Sequence, residues 1–314
     1  MDHPNTRPPA RNKRLPLRPA AGRLVRGLLA TYLGIVLIMS FLERRLVYPA
    51  PALTRSDWSP AQSSEPTAPH EVWIASDDGV EVHGWFYERP DAGHAVLYCH
   101  GNAEQVADND TLMRRVRKEL NADVLIFDYR GYGKTRGRAD HPAPPPTERG
   151  VIADGLAAQH WLAEKTGRSP DEIVLIGRSL GGGVATALAA KAGAGALLLQ
   201  DTFTRLPDVA ANRYPWLPVS LVMQNRYDSL AGLSRYRGPL LVSHGNKDRV
   251  VPFSHAQQLY NACPSPQKRY LPQPTRGHDD PLPTSYWEAV RELLAPPREG
   301  ARIRHKPAEF REKG

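Results

Sequence analysis

The sequence has only two cysteines among its 314 residues. Two thiols cannot build a disulfide framework, and they leave the redox compartment unread. Cys99 ends an apolar run and has the character of a small core residue; Cys263 precedes Pro264 near a helix end. A single bridge between them stays open. There is no internal repeat, and no His/Cys/Glu cluster has the spacing of metal ligands, so no metal or cofactor is expected. The body also lacks basic charge. Of the formal net charge of +8, residues 1–50 hold +7 and residues 296–314 hold +3, which leaves −2 for residues 51–295. A near-neutral body excludes nucleic-acid binding by the folded domain.

The basic ends call for a different account. Residues 1–23 combine five prolines with scattered Arg and Lys and read as a disordered basic arm. Residues 24–42, LVRGLLATYLGIVLIMSFL, carry one charge, Arg26, which can snorkel to an interface. Gly27 to Leu42 is 16 uncharged residues, the short edge of a membrane span. The run has no polar face, as a core helix would. Glu43-Arg44-Arg45 follows it where a signal peptide would show a small-residue cleavage site. An uncleaved single-pass anchor is therefore expected. Seven Arg and Lys lie in residues 1–26, against Arg44 and Arg45 offset by Glu43. That bias predicts a cytoplasmic N-terminus and a body on the non-cytoplasmic side. Residues 43–69, rich in Pro, Ser and Ala, read as a linker; Tyr48 and Trp58 there either anchor at the interface or pack on the domain. Residues 296–314 read as a disordered charged tail.

Residues 70–295 are regular. Residues 71–76 and 80–87 flank Asp77-Asp78-Gly79 and predict a β-hairpin. Strands are expected at 95–99, 124–127, 173–176, 196–199, 240–243 and 268–271. Helices are expected at 105–120, 151–165, 184–191, 254–262 and 285–294. Strands alternating with helices mean an α/β fold: a mostly parallel sheet with helices on both faces.

The organising stretch is Ile173 to Gly183. Gly177-Arg178-Ser179-Leu180-Gly181 follows an apolar strand and opens an Ala-rich helix. In that context G-x-S-x-G is a nucleophile elbow, with the serine hydroxyl pushed out above the sheet at a helix N-terminus. A serine needs a base, and the base needs a carboxylate. In an open α/β sheet both must lie beyond the carboxyl ends of strands. Asp248, in the loop after 240–243, is the expected acid, with Asp201 as its rival directly after 196–199. His278, after 268–271, is the expected base; His244 and His255 fit less well. The oxyanion needs aimed N–H donors. Leu180 supplies one from beside the nucleophile. The second is assigned to Asn102 in His100-Gly101-Asn102-Ala103, with Ala103 as the alternative. His100 orders this loop. The loop Asp128-Tyr129-Arg130-Gly131-Tyr132-Gly133 has neither phosphate-loop nor dinucleotide spacing and reads as a structural turn lining the pocket.

Together these motifs, in the chain order Ser179, Asp248, His278, resemble the α/β-hydrolase superfamily. More narrowly, they are similar to single-pass, membrane-anchored serine hydrolases related to eukaryotic protein depalmitoylases, in which a hydrophobic segment precedes a Leu-x-Tyr-Pro-like stretch. Leu46-Val47-Tyr48-Pro49 fits. The resemblance covers residues 43–295 and implies an α/β-hydrolase fold and a Ser/His/Asp hydrolase of esters, thioesters or amides. The expected reaction is cleavage of a carboxylic ester or thioester through an acyl-enzyme, on a small-molecule or lipid-like acyl substrate. An amide or peptide hydrolase and a non-catalytic binding protein of the same fold are the alternatives. The segment Thr202–Gly238 is short for a cap; its apolar residues either wall an acyl chain or cover the sheet.

Overall fold

Apolar runs such as Ala-Val-Leu-Tyr-Cys and Val-Leu-Ile-Gly lack the alternation of a half-solvated strand, and a strand buried on both faces needs none. In the computed structural model, which describes residues 18–49, 68–137 and 143–295, they form the middle of an eight-stranded sheet. Its strands are β1 His70–Ala75, β2 Glu81–Tyr87, β3 His94–Cys99, β4 Ala122–Phe127, β5 Val174–Arg178, β6 Ala196–Gln200, β7 Leu240–Gly245 and β8 Lys268–Gln273. The spatial order is β1-β2-β4-β3-β5-β6-β7-β8. β1 and β2 are the expected antiparallel hairpin, and β2 runs antiparallel to β4. Every later pairing is parallel.

Parallel neighbours need crossovers, and helices supply them. The helices are α1 Arg18–Val47, α2 Asp110–Glu119, α3 Glu148–Thr166, α4 Leu180–Ala192, α5 Leu206–Arg213, α6 Val219–Val222, α7 Ser229–Leu233, α8 Ser254–Ala262 and α9 Thr284–Leu294. Successive strand residues divide between the two faces. Leu97, Leu125 and Leu175 pack with Val151 of α3, Val184 of α4 and Leu259 of α8. Val96, Val124 and Val174 pack with Met113 of α2 and Trp287 of α9. Cys99 and Cys263 are both buried free thiols, so the bridge left open by the sequence is not made.

Beyond shifts of a few residues at other strand and helix ends, four features differ from expectation. The α-helix expected from residue 105 begins at Asp110, after a 3-10 turn over Val106–Asn109. The Val106 N–H is taken by Asp128 Oδ1 at 2.9 Å, which holds the first turn out of the helix. α3 starts three residues before Val151, because the Thr147 hydroxyl accepts the Gly150 N–H and caps it. Thr202–Gly238 contains three short helices, α5 to α7. Within it Leu217 and Val219 are buried, whereas Trp216 and Leu221 are exposed.

The fourth concerns the N-terminal segment. The chain falls into two units, one ending at Glu43 and the other beginning at Arg44. α1 begins at Arg18 rather than Leu24, since the Ala and Arg residues ahead of the apolar run also favour helix. It continues through Glu43-Arg44-Arg45 to Val47, into the expected linker. Gly22–Val47 is long and apolar enough to cross a membrane, and Leu37 and Phe41 on it are exposed. Tyr48 packs on the domain: it is buried, and its hydroxyl lies 2.9 Å from both Asn225 Oδ1 and the Tyr227 hydroxyl. The arm up to residue 17, the linker over 50–67 with Trp58, and the tail from 296 lie outside the described residues.

The Asp128–Gly133 loop is fastened by charge. The buried Arg130 guanidinium meets Asp154 at 2.7 Å and Asp78 at 2.6 Å. Asp154 is fully buried, and burial pushes its carboxyl above the usual range even with the guanidinium beside it. Removing Arg130 would strand that carboxylate. Arg130→Met is expected to cost about 3–5 kcal/mol. For a domain of this size that lowers Tm by about 6–20 °C, read by circular dichroism of the full chain in detergent. Arg130→Met with Asp154→Leu should recover much of the loss; no recovery would show that the damage is packing rather than stranded charge.

Candidate active site

β5 ends in Gly177-Arg178, and α4 begins at Leu180, so Ser179 must turn the chain alone. It does so at φ 51° and ψ −118°, a backbone state that non-glycine residues rarely adopt. The two flanking glycines are steric requirements. A β-carbon on Gly177 would run into the Gly181 carbonyl and Gly182 Cα, and one on Gly181 into the Cys99 carbonyl at the end of β3. The strained turn is pinned: the Ser179 N–H donates to Gln200 O at 3.0 Å, and the Thr202 hydroxyl donates to Ser179 O at 2.6 Å.

The three residues expected to act together do meet. His278 Nε2 lies 3.1 Å from Ser179 Oγ, and His278 Nδ1 lies 2.7 Å from Asp248 Oδ2. The Asp248 side chain is fully buried and that of His278 is 11% exposed. Asp248 Oδ1 also accepts the N–H groups of Val250 and Val251, at 2.7 and 2.8 Å. Burial pushes the Asp248 carboxyl upward, but hydrogen bonds from His244, from His278 and from the Val251 N–H outweigh it. The result is a carboxyl held well below the usual range. It is therefore ionised at neutral pH.

The rival residues are engaged elsewhere. Asp201 is buried; its Oδ1 accepts the Gly245 N–H at 2.8 Å and its Oδ2 pairs with Arg276 at 2.8 Å. That ion pair fixes the loop two residues before His278. His244 is buried behind Asp248, its Nε2 3.1 Å from Asp248 Oδ2 and 3.1 Å from Val251 O. His255 Nδ1 accepts the Thr204 N–H, and burial lowers its pKa. The His100 Nδ1–H donates to the Gly101 carbonyl, and its ring stacks on Tyr129. The oxygens and nitrogens of Asp201, His244 and Asp248 converge within 4.8 Å, a spacing open to a cation. The Arg276 guanidinium already on Asp201 opposes one there.

Asn102 lies in the loop after β3, and Leu180 is the first residue of α4, next to the serine. The Asn102 side chain is fully committed. Its Nδ2 donates to Val47 O at 2.7 Å, and its Oδ1 accepts the Tyr132 hydroxyl at 2.6 Å and the Ala103 N–H at 3.1 Å. The Ala103 N–H is thus occupied, whereas neither the Asn102 nor the Leu180 N–H has an acceptor among the described residues.

One residue of the elbow escaped the sequence reading. Arg178 reaches Glu104 Oε1 at 2.5 Å, Asp279 Oδ1 at 2.6 Å and the His278 carbonyl at 3.1 Å. Glu104 Oε2 in turn accepts the Gly101 N–H at 3.2 Å. One guanidinium beside the serine therefore ties the loop after β3 to the loop that carries His278. Its fork geometry suits such a double clasp, and a lysine would not reproduce it. The available signal was position alone: Arg178 precedes the serine, Glu104 follows the Asn102 turn, and Asp279 follows His278.

Comparison with known proteins is consistent with this architecture. A family profile described as alpha/beta hydrolase fold matches residues 94–222. The chain is 35% identical over 250 residues to the protein Rv2307c of Mycobacterium tuberculosis, spanning 79% of this chain and 84% of that one. It is 27% identical to the membrane protein YNL320W of Saccharomyces cerevisiae, over 85% of this chain and 94% of that one. The structure of the esterase Pf2001 of Pyrococcus furiosus superposes with a TM-score of 0.61 at 21% identity, covering 78% of this chain and 98% of that one, a likeness of fold. Aligned with relatives along most of their length and matched over the strand, elbow and helix, the chain belongs to the α/β-hydrolase family.

Proposed function

We propose that this protein is a membrane-anchored serine hydrolase that cleaves a carboxylic ester or thioester through an acyl-enzyme. The observation that carries the proposal is the continuous line from Ser179 Oγ through His278 to the buried Asp248. Ser179 attacks the acyl carbon while His278 Nε2 takes its proton. The carbonyl oxygen gathers negative charge and is held by the N–H groups of Asn102 and Leu180. His278 then returns the proton to the leaving alcohol or thiol. A water activated by the same imidazole releases the acid and frees the serine. Asp248 keeps the Nδ1–H tautomer and stabilises the imidazolium. Each oxyanion donor is worth about a hundred- to thousandfold in turnover. The substrate class that fits is a small-molecule or lipid-like acyl compound, with apolar residues of Thr202–Gly238 as the wall for its acyl chain. The anchor is Gly22–Val47, with the domain on the non-cytoplasmic side.

The first test is labelling of the detergent-solubilised full chain with a fluorophosphonate. The parent should label; Ser179→Ala and His278→Ala should not. A folded parent that resists labelling would count against an activated serine. Asp248→Asn should fold with the site's geometry intact but label and turn over roughly ten-thousandfold more slowly, because the imidazole tautomer is lost. The same variant tests the linkage. The Asp248 carboxyl has a lower pKa folded than unfolded, so its ionised form contributes stability above its unfolded value of about 3.9. That contribution fades as pH falls below it. The stability gap between parent and Asp248→Asn should accordingly shrink in acid; a gap that widens there would contradict the assignment.

Arg178 should act on rate through position. Arg178→Met is expected to lower kcat on a short-chain ester by about a hundredfold, the cost of misplacing reacting groups by about 1 Å, with KM nearly unchanged. An equal rise in KM would instead make it a substrate-binding residue. For the orientation, protease added to sealed right-side-out vesicles should digest the domain. Protection until detergent is added would reverse the sidedness.

A further inference from the structure

A cavity of about 600 Å³ lies along the first turns of α3 and shares no residue with the Ser179–His278–Asp248 line. Three cationic side chains line it, Arg44, Arg149 and Lys191, and none has an ion-pair partner among the described residues. Ile152, Ala153 and Leu156 of α3 give it an apolar floor. Glu148 is the one acid in the lining, and its Oε2 is engaged by the Arg226 N–H at 2.6 Å. Three cations against one carboxylate leave the lining net positive.

Position adds a second argument. Arg44 belongs to the last turn of α1. Just beyond it, Val47 O accepts from Asn102 Nδ2, and the Tyr48 hydroxyl bonds Asn225, a lining residue whose Oδ1 also accepts the Glu148 N–H at 2.7 Å. The chain is thus fastened to the domain next to the cavity. With Gly22–Val47 as a span, Arg44 sits at the level where lipid headgroups lie. A ligand matching cations at the mouth, an apolar floor and a headgroup-level location is an anionic amphiphile. Guanidinium and ammonium groups pair with phosphate oxygens through charge-assisted hydrogen bonds.

We propose that this cavity binds an anionic phospholipid, its phosphate among Arg44, Arg149 and Lys191 and the first carbons of a chain over Ile152 and Leu156. The proposal rests on the membrane span proposed above, which retention of the full chain in membranes washed with alkaline carbonate tests separately.

The test is native mass spectrometry of the full chain in a non-ionic detergent, titrated in turn with dioctanoyl phosphatidylglycerol, dioctanoyl phosphatidylcholine and inorganic phosphate. Phosphatidylglycerol should bind, and phosphatidylcholine should bind at least tenfold more weakly. Arg149→Gln with Lys191→Gln should weaken phosphatidylglycerol binding by tenfold or more, while fluorophosphonate labelling stays at the parental level. Equal binding of the two lipids, or parental affinity in the double variant, would overturn the proposal. Phosphate that binds as tightly as the lipid would make this a free-anion site and overturn the lipid assignment. If the double variant loses labelling as well, Arg44→Gln alone decides: parental affinity there rejects the site. Ser179→Ala should bind lipid like the parent, so failure of the hydrolase proposal leaves this result readable.

Discussion

Ser179 is held where an L-residue resists going. A backbone at φ 51° and ψ −118° costs on the order of 1–3 kcal/mol, and the surrounding structure has to over-determine it. It does so from three sides. β6 accepts the serine N–H, Thr202 donates to its carbonyl, and the start of α4 presses against the end of β3 with no room for a β-carbon on Gly181. The hydroxyl position is thereby set by the sheet rather than by a loop. Every other group in the site has to come to it.

Those groups arrive on three loops that leave the carboxyl ends of β3, β7 and β8. Loops alone would scatter them. The molecule instead spends buried or half-buried ion pairs on the problem. Arg178 ties Glu104 to the His278 loop, and Asp201 ties Arg276, two residues before His278, to the end of β7. Buried ion pairs add little net stability, because desolvation cancels most of their attraction. What they do impose is geometry, since breaking one leaves a charge with no water. Asp248 follows the same logic: burial alone would raise its pKa, and the donors around it reverse the sign. A carboxylate held ionised behind the imidazole is the electrostatic condition for drawing a proton from the serine.

The sequence displayed the parts of this that depend on local pattern. The G-x-S-x-G turn is legible because sterics force glycine on both sides of the serine. Asp248 and His278 are legible because the fold admits them only beyond strand ends. The short helices α5 to α7 were not legible: with four to eight residues each and Pro207, Pro215 and Pro218 among them, they show no helical period. Arg178 was not legible as a clasp, because its partners Glu104 and Asp279 lie 74 and 101 residues away and leave no local signal. The early end of the apolar run was misleading for a similar reason. Glu43, Arg44 and Arg45 end the hydrophobicity without ending the helix, since all three are good helix formers.

That last difference changes where the catalytic unit begins. A linker over 43–69 would let the domain begin only at His70. Instead Val47 accepts a hydrogen bond from the Asn102 side chain, and Tyr48 is buried against Asn225 and Tyr227. Asn102 is the residue whose backbone N–H is proposed to hold the oxyanion, and among the described residues its side chain has two other partners, Tyr132 and its own neighbour Ala103. Val47, the last residue of α1, and Tyr48 after it are therefore bonded into the domain, Val47 to the loop after β3. Cutting the chain within residues 50–67 would remove the carbonyl that holds the Asn102 side chain and the phenol that bonds Asn225 and Tyr227, so deleting the N-terminal segment is not a neutral operation. The Val47 carbonyl and the loop after β3 share a hydrogen bond, and the distance between them is fixed by that bond rather than by the length of a tether.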